Sequence, residues 1–254
     1  MIDLSDLLTV AIEASRRACG EILAIYEASD FQTEAKPDNS PITLADRNAH
    51  RVIAEILATT GIPVLSEEGK NIPYDERKNW SYFWLVDPLD GTKEFLKRNG
   101  EFTVNIALVR KHEPILGVVA VPVSGDVFAG GKGLGAYILR NGERIDLNGH
   151  QPVDFEKPGI RVVASRTHMD SQTAAFIEKL NNPVLMSRGS SLKFMLLAEG
   201  LADVYPRFAP TMEWDTGAAQ AILNELGIRI LQQGTTDPLV YNKSNLLNPG
   251  FLCF

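Results

Sequence analysis

The stretch Trp84-Leu85-Val86-Asp87-Pro88-Leu89-Asp90-Gly91-Thr92-Lys93-Glu94-Phe95 decides how the rest of the chain is read. It opens inside an apolar run, 83–86, that is long enough for a buried strand and too short for a helix. Pro88 biases Asp87 away from the helical region, which predicts that the strand ends at Asp87 and turns sharply there. Gly91 permits close backbone approach, and a helix can open at Thr92. Two acids at the carboxyl end of a buried strand, beside a helix start, suit hard cations and phosphate. An Asp-Pro turn followed by a capping Asp explains the same residues without chemistry, and this stretch alone leaves the two readings balanced.

Composition narrows the setting. The chain of 254 residues can bury one large core or two modest ones. Its net charge of −7 argues against a partner that is a nucleic-acid polymer, which calls for a basic surplus. An anionic small molecule stays compatible, because bound divalent cations invert the local field. The two cysteines, Cys19 and Cys253, make neither a disulfide framework nor a zinc pattern, which fits a reducing compartment. No apolar run approaches the length of a membrane span. Asp3, Asp6 and Glu13 within a helical pattern are unlike a signal peptide. The expectation is a soluble cytoplasmic protein with no integral membrane segment, for which a peripheral position at the inner face of the cell membrane remains open.

Upstream of the central stretch, Leu4, Leu8, Ala11, Ser15, Ala18, Ile22 and Ile25 recur at helical spacing and predict a long amphipathic helix. Residues 31–41 are polar with two prolines and predict an irregular or extended arm. A second helix is expected from Asp46, with Ala49, Val52, Ile53, Ile56 and Leu57 inward; Asp46 by itself is a cap or first-turn acid. A short apolar run, 63–65, ends at Ser66-Glu67-Glu68-Gly69. Downstream, 102–110, 117–123, 127–129 and 136–139 are strand-like runs separated by turns, which suggests an antiparallel meander. The cluster Gly130-Gly131-Lys132-Gly133-Leu134-Gly135 fits no phosphate-loop pattern and reads as a hairpin connection, as does Asn141-Gly142. Residues 148–158 are the best domain boundary. After them strands (161–165, 183–186, 203–207, 228–231) alternate with helices (173–180, 190–199, 214–226), a layered α/β pattern.

Glu67, the pair Asp87 and Asp90, and Asp215 all fall where strands end or helices begin. Two carboxylates about 5 Å apart repel by roughly 3 kcal/mol at an effective dielectric of about 20. If the four converge, they need cations, and carboxylates without His or Cys favour Mg²⁺, Mn²⁺ or Ca²⁺ over zinc. His50, His112, His150 and His168 are scattered without metal-ligand spacing.

Glu67-Glu68, Asp87-Pro88-Leu89-Asp90-Gly91-Thr92 with Phe95, and Trp214-Asp215 with Ala218-Ala219, in this order and spacing, resemble the inositol monophosphatase and fructose-bisphosphatase superfamily of Mg²⁺-dependent, lithium-sensitive phosphatases. The resemblance extends over nearly the whole chain, including Ile42-Thr43-Leu44-Ala45-Asp46 and the 128–136 hairpin. It implies a layered α/β (α+β) architecture, a five-layer αβαβα sandwich. The site would lie between an N-terminal half, 1–150, with most metal ligands and a C-terminal half, 151–254, with Asp215 and the substrate-recognition residues.

Within the superfamily the chain is most similar to the 3'(2'),5'-bisphosphate nucleotidases, on Ser165-Arg166-Thr167-His168, Gly189-Ser190-Ser191-Leu192-Lys193 and Tyr205-Pro206-Arg207. Ser190 would offer a hydroxyl at a helix start, Lys193 lies one turn on, and Arg207 presents a planar donor fork, together a second anion site. The resemblance implies Glu67, Asp87, the Leu89 carbonyl, Asp90 and Asp215 as ligands of two or three Mg²⁺ ions, with Mn²⁺ as the alternative. It implies Asp46 and Thr92 as the pair orienting the attacking water, and Gly91 and Thr92 as amide donors to phosphate. Substrate contacts would come from Glu67, Leu89, Asp90, Gly91, Thr92, Ser165, His168, Ser190, Lys193, Arg207 and Asp215. The implied reaction removes the 3'(2')-phosphate of adenosine 3'(2'),5'-bisphosphate, a role connected with sulfur assimilation. An inositol or sugar phosphatase would share the metal cluster, and a non-catalytic cation-binding protein would not need Asp46 and Thr92. Oligomeric state is not legible.

Overall fold

The computed structural model describes residues 3–27, 33–35, 41–149, 152–164 and 169–254. Helix α1 (Leu4–Tyr26) starts at Asp3, whose carboxylate accepts the Ser5 N–H, and buries Leu8, Ala11, Ala14, Ser15, Ala18 and Ile22 as one stripe. Strands β1 (Thr33–Ala35) and β2 (Pro41–Thr43) pair antiparallel, so part of the expected irregular arm is a ladder. Helix α2 (Leu44–Ala58) begins two residues before Asp46 and lies along α1.

Strand β3 (Val64–Ser66), a single helical turn α3 (Tyr74–Arg77), strand β4 (Tyr82–Asp90) and the short α4 (Thr92–Leu96) follow. Then come β5 (Thr103–Arg110), β6 (Glu113–Ala120), β7 (Val127–Gly131), β8 (Gly135–Arg140) and β9 (Glu143–Asp146). These seven strands form one sheet in sequence order, with β3 parallel to β4 and every later neighbour antiparallel. The expected meander is present, and both glycine-marked connections are hairpin turns; Asn141 and Gly142 each have positive φ, the backbone a tight two-residue hairpin needs.

The expectation that the strand stops at Asp87 is incorrect. Strand β4 runs on to Asp90, and its pairing with β5 shifts register between Asp87↔Asn105 and Asp90↔Thr103. Pro88 cannot donate to a ladder, so the chain bulges at that point instead of leaving the sheet. Asp87 holds the bulge by accepting the Leu89 N–H at 3.2 Å. The alternating character of 102–110 also has a different cause from one wet and one dry face, since β5 is buried on both sides. Val104, Ile106 and Leu108 enter the core under α1 and α2, whereas Ala107 and Val109 enter the core on the opposite face.

The second half contributes β10 (Arg161–Val163), α5 (Ser171–Ile177), β11 (Val184–Met186), α6 (Leu192–Ala198) and β12 (Tyr205–Arg207). It ends with β13 (Thr211–Met212), α7 (Glu213–Glu225), β14 (Ile230–Gln232), β15 (Leu247–Asn248) and β16 (Phe251–Cys253). A parallel bridge, Val162↔Val204, joins the β10–β11 pair to the antiparallel trio β12-β16-β14. The helix expected from Ser190 starts at Leu192. Ser190 itself has φ +53° and lies outside it.

Three cores separate five layers. One lies between α1/α2 and the large sheet. The largest lies between that sheet, α6/α7 and the inner face of the second sheet. The third holds α5 against the second sheet through Ile160, Val162, Ile177 and Val204. The fold is therefore the expected αβαβα sandwich. Helix α7 fits closely against the large sheet because Gly117 on β6 has no side chain: a Cβ there would stand 2.0 Å from the Ala218 carbonyl oxygen.

Candidate active site

The parallel pairing of β3 with β4 places their carboxyl ends side by side. Ser66 aligns with Val86, and the Glu67 N–H reaches the Val86 carbonyl at 3.1 Å. Glu67 thus emerges next to Asp87, which is buried. Asp46 arrives from the first turn of α2 and is also buried. Asp90 follows the β4 bulge, and Asp215 stands in the first turn of α7, where it accepts the Met212 N–H at 2.8 Å.

The electrostatics show that these acids converge. Burial raises the Asp87 carboxyl well above the usual carboxylate range, and the charges of Glu67, Asp90, Asp215 and Asp46 raise it further. Asp215 is pushed up to about 8, by burial first and then by Asp90 and Glu67, against the opposing pull of the Met212 N–H and Arg207. The donor set is all oxygen with no imidazole or thiolate within it, which suits a hard divalent cation. Protein donors, however, already hold several of its oxygens. Asp87 Oδ1 takes the Leu89 N–H, Asp215 Oδ2 takes the Met212 N–H, and Asp90 Oδ2 takes Ser190 Oγ at 2.6 Å and Ser191 Oγ at 3.1 Å. Among the described residues no three acids, histidines or cysteines are already drawn close enough to hold a metal ion. The chemistry of the set fits the cation, and loading would exchange mutual repulsion for coordination.

Gly91 precedes α4 with φ +98°, a left-handed conformation that favours glycine, and packs against Glu101 and Phe102. Thr92 begins the helix, so the amides of Gly91 and Thr92 fall directly after the acidic pair.

A cavity of about 220 Å³ opens beside the acids, lined by Asp90, Gly91, Ser190, Lys193, Arg207 and Asp215 among others. Lys193 is half-buried, and its Nζ donates to the Ser190 carbonyl at 2.9 Å. Burial lowers its ammonium below the usual range; Asp90 opposes that shift and Arg207 adds to it. Arg207 Nε is buried with no hydrogen-bond partner among the described residues. A buried cationic donor left unpaired is costly unless an anion completes it. Larger grooves of about 900 Å³ lie elsewhere, one along β8, β9 and α6 and another along β6, α7 and β14. Neither contains any of the converging acids, so chemistry and not size identifies the site.

The structure therefore brings Asp46, Glu67, Asp90 and Asp215 within reach of the Asp87 charge, with Gly91, Ser190, Lys193 and Arg207 along the cavity beside Asp90 and Asp215; Leu89 and Thr92 are the chain neighbours of Asp90 and Gly91. Ser165 and His168 lie outside the described residues, as does His150. His50 and His112 bond to protein groups, Ser66 Oγ and the Tyr241 carbonyl. Thr103, Asn105 and Ser191, which contact the acids or each other, were not anticipated from sequence. Their signal was two polar residues, two apart on one face of an otherwise apolar strand.

Residues 3–250 match the family model described as the inositol monophosphatase family. The chain is 44% identical over 250 residues to the 3'(2'),5'-bisphosphate nucleotidase CysQ of Escherichia coli, covering 96% of this chain and 98% of that protein. CysQ from Bacteroides thetaiotaomicron, described as a bacterial member of the same family, superposes with a TM-score of 0.85 at 45% identity, covering 98% of this chain and 96% of that one. A Thermotoga maritima inositol monophosphatase superposes with a TM-score of 0.78 at 22% identity, covering 98% of this chain and 91% of that one, a likeness of fold.

Proposed function

This chain belongs to the inositol monophosphatase family, and we propose from that premise that it is a 3'(2'),5'-bisphosphate nucleotidase, a metal-dependent phosphatase acting on a phosphorylated nucleotide. The observation that carries the reading is the meeting of two opposite fields at one cavity: Asp90 and Asp215, the near members of the carboxylates whose charges bear on Asp87, at one side, and Lys193 with the unpartnered Arg207 Nε at the other.

Glu67, Asp87, Asp90, Asp215 and the Leu89 carbonyl would hold Mg²⁺, two or three ions, with Mn²⁺ as a substitute. When bound, such cations lower the pKa of water and neutralise charge gathering on the phosphoryl oxygens. Asp46 and Thr92 would orient the attacking water, and Asp46 would take its proton. The Gly91 and Thr92 amides hold phosphate oxygens in line for displacement. The water oxygen bonds to phosphorus as the bond to the ribose oxygen breaks, and the ribose oxygen takes a proton from solvent water as it leaves, giving AMP and inorganic phosphate without a covalent enzyme intermediate. Lys193 and Arg207 take the second phosphate, and Ser165 and His168 are proposed to complete that subsite.

The test is Mg²⁺-dependent phosphate release from adenosine 3',5'-bisphosphate, inositol 1-phosphate and fructose 1,6-bisphosphate side by side. The expected result is a preference of at least about 100-fold in kcat/KM for the nucleotide, the discrimination that a desolvated second-phosphate site supplies. Preference for either other substrate would discard the roles given to Lys193 and Arg207.

A further inference from the structure

We propose that Ser190 and Ser191, backed by Thr103 and Asn105, form a directed hydrogen-bond clamp that fixes the Asp90 carboxylate for cation binding. Ser190 then serves the reaction through Asp90 and not as a hydroxyl donor to substrate. The inference rests on the reading of Asp90 as a metal ligand.

Four side chains from distant parts of the chain meet here. Ser190 Oγ stands 2.6 Å from Asp90 Oδ2, 3.0 Å from the Asp90 carbonyl oxygen and 2.7 Å from Thr103 Oγ1. Ser191 Oγ lies 3.1 Å from the same Oδ2 and 3.1 Å from the Asp215 carbonyl oxygen. Asn105 Nδ2 donates to Ser191 Oγ at 3.0 Å, and Thr103 Oγ1 donates to Asn105 Oδ1 at 3.0 Å.

Counting protons gives the network a direction. Each hydroxyl has one proton. A separation of 2.6 Å between a hydroxyl oxygen and an ionised carboxylate oxygen requires that proton between them. Ser190 therefore donates to Asp90, and the single Thr103 proton is shared between Asn105 Oδ1, which only accepts, and Ser190 Oγ. Ser191 receives its donor from Asn105 and spends its own proton on Asp90 Oδ2 or on the Asp215 carbonyl. Ser190, packed against Thr103, and Ser191, held by Asn105, both stand within hydrogen-bond reach of the same carboxylate oxygen. Oδ1 accepts no hydrogen bond among the described residues, so it is the oxygen left for a cation.

The backbone independently indicates that Ser190 is held for its hydroxyl. Its φ of +53° is in the left-handed region, where glycine is the undemanding choice. The residue before it is a glycine for a separate reason: a Cβ on Gly189 would stand 2.5 Å from the Glu101 carbonyl oxygen. Gly189 also donates its N–H to Glu101 Oε2 at 2.9 Å. The 189–191 segment is thus pressed onto the β4–β5 side of the site, and Ser190 keeps a strained backbone in order to reach Asp90. The clamp also spans the two halves of the chain, since Ser191 touches Asp90 of the large sheet and the Asp215 backbone of α7.

The experiment uses Ser190→Gly, which relieves the backbone while deleting the hydroxyl, together with Thr103→Val, which leaves Ser190 in place but removes the hydroxyl behind it. Free Mn²⁺ is followed by electron paramagnetic resonance during titration of the metal-free enzyme, with circular dichroism to establish that each variant is folded. Partners behind a metal ligand typically contribute 10- to 100-fold in metal affinity. Ser190→Gly is expected to weaken Mn²⁺ binding about 10-fold and Thr103→Val by a smaller factor of the same sign. The KM for adenosine 3',5'-bisphosphate at saturating Mg²⁺ should stay within about 3-fold. Unchanged Mn²⁺ affinity with a raised KM would overturn the clamp and return Ser190 to the substrate. Asp90→Asn, titrated alongside, separates the two levels. Loss of affinity in Asp90→Asn but not in Ser190→Gly removes the clamp alone, and unchanged affinity in both removes the metal role of Asp90 and the clamp with it.

Discussion

Asp87 is a carboxylate that burial and four neighbouring acids all oppose, so its ionised form is tolerable only with a cation beside it. Asp87→Asn should lower kcat by about 1,000-fold or more while leaving the metal-free protein no less stable, as activity assays and melting in chelator would show. Asp215 gives a pH test with a definite sign. Its folded value of about 8 exceeds the ordinary 3.8, so protonation favours the folded state. That contribution is fully present below about pH 4 and lost as pH rises through about 8. In chelator, the melting temperature of Asp215→Asn should climb relative to the parent between those limits, by roughly 5 °C or more at the alkaline end. A gap that does not change with pH would mean that Asp215 carries no such burden. Lys193 belongs to the other side of the cavity. Lys193→Ala should raise KM for the bisphosphate about 10- to 100-fold, the worth of a charged hydrogen bond, and barely alter kcat. A substrate with only the 3'-phosphate should show almost no change, and an equal loss on both substrates would contradict the assignment.

At the scale of elements, the crossing of α7 over β6 leaves no room for a side chain on the strand at Gly117. A methyl group at Gly117 would meet the Ala218 carbonyl oxygen at 2.0 Å, so Gly117→Ala must push the helix off the sheet and carry Asp215 with it. Overpacking of this kind costs about 1–3 kcal/mol or more, and urea unfolding should register it together with weakened Mg²⁺ activation. Gly125→Ala is the control: a Cβ there meets nothing within 4 Å, though its φ of +75° carries strain, so it should lose some stability without affecting Mg²⁺ activation. The elements also mark where sequence reasoning succeeds. Helices α1, α2 and α7 were legible because each has a long periodic pattern, and the meander because its turns carry glycine and asparagine at the required places. The run of β4 beyond Asp87 was not legible, because Pro88 signals a stop locally while the pairing of Asp90 with Thr103 keeps the strand in the sheet. Strands β13, β15 and β16, each of two or three residues, exist only through partners distant in sequence. The same distinction holds within the site. Its acids were legible by type and position, whereas the clamp joins residues 86 to 101 apart and leaves only the polar pair Thr103 and Asn105 as a local trace.

For the whole molecule, the largest core decides how the two halves behave. It unites Phe83, Leu85, Ala107 and Val109 of the large sheet with Phe194, Met195, Ala218 and Ile222 of the helices behind it. The carboxylates are divided in the same way, Asp46, Glu67, Asp87 and Asp90 before the 148–158 connection and Asp215 after it. Separating the halves would expose that shared core and dismantle the cation site at once. Folding and metal binding should therefore be linked through a single transition. A ligand held only by the folded state adds about 2.7 kcal/mol at 100 times its Kd, which for a chain of this length is a rise of roughly 5–10 °C. Calorimetry should show one endotherm that moves upward as a unit when Mg²⁺ is added, and Asp215→Asn should shrink that movement although most ligands remain in the other half. Two endotherms, or a Mg²⁺ shift in only one of them, would mean that the halves fold independently and that the site forms by docking after each is complete.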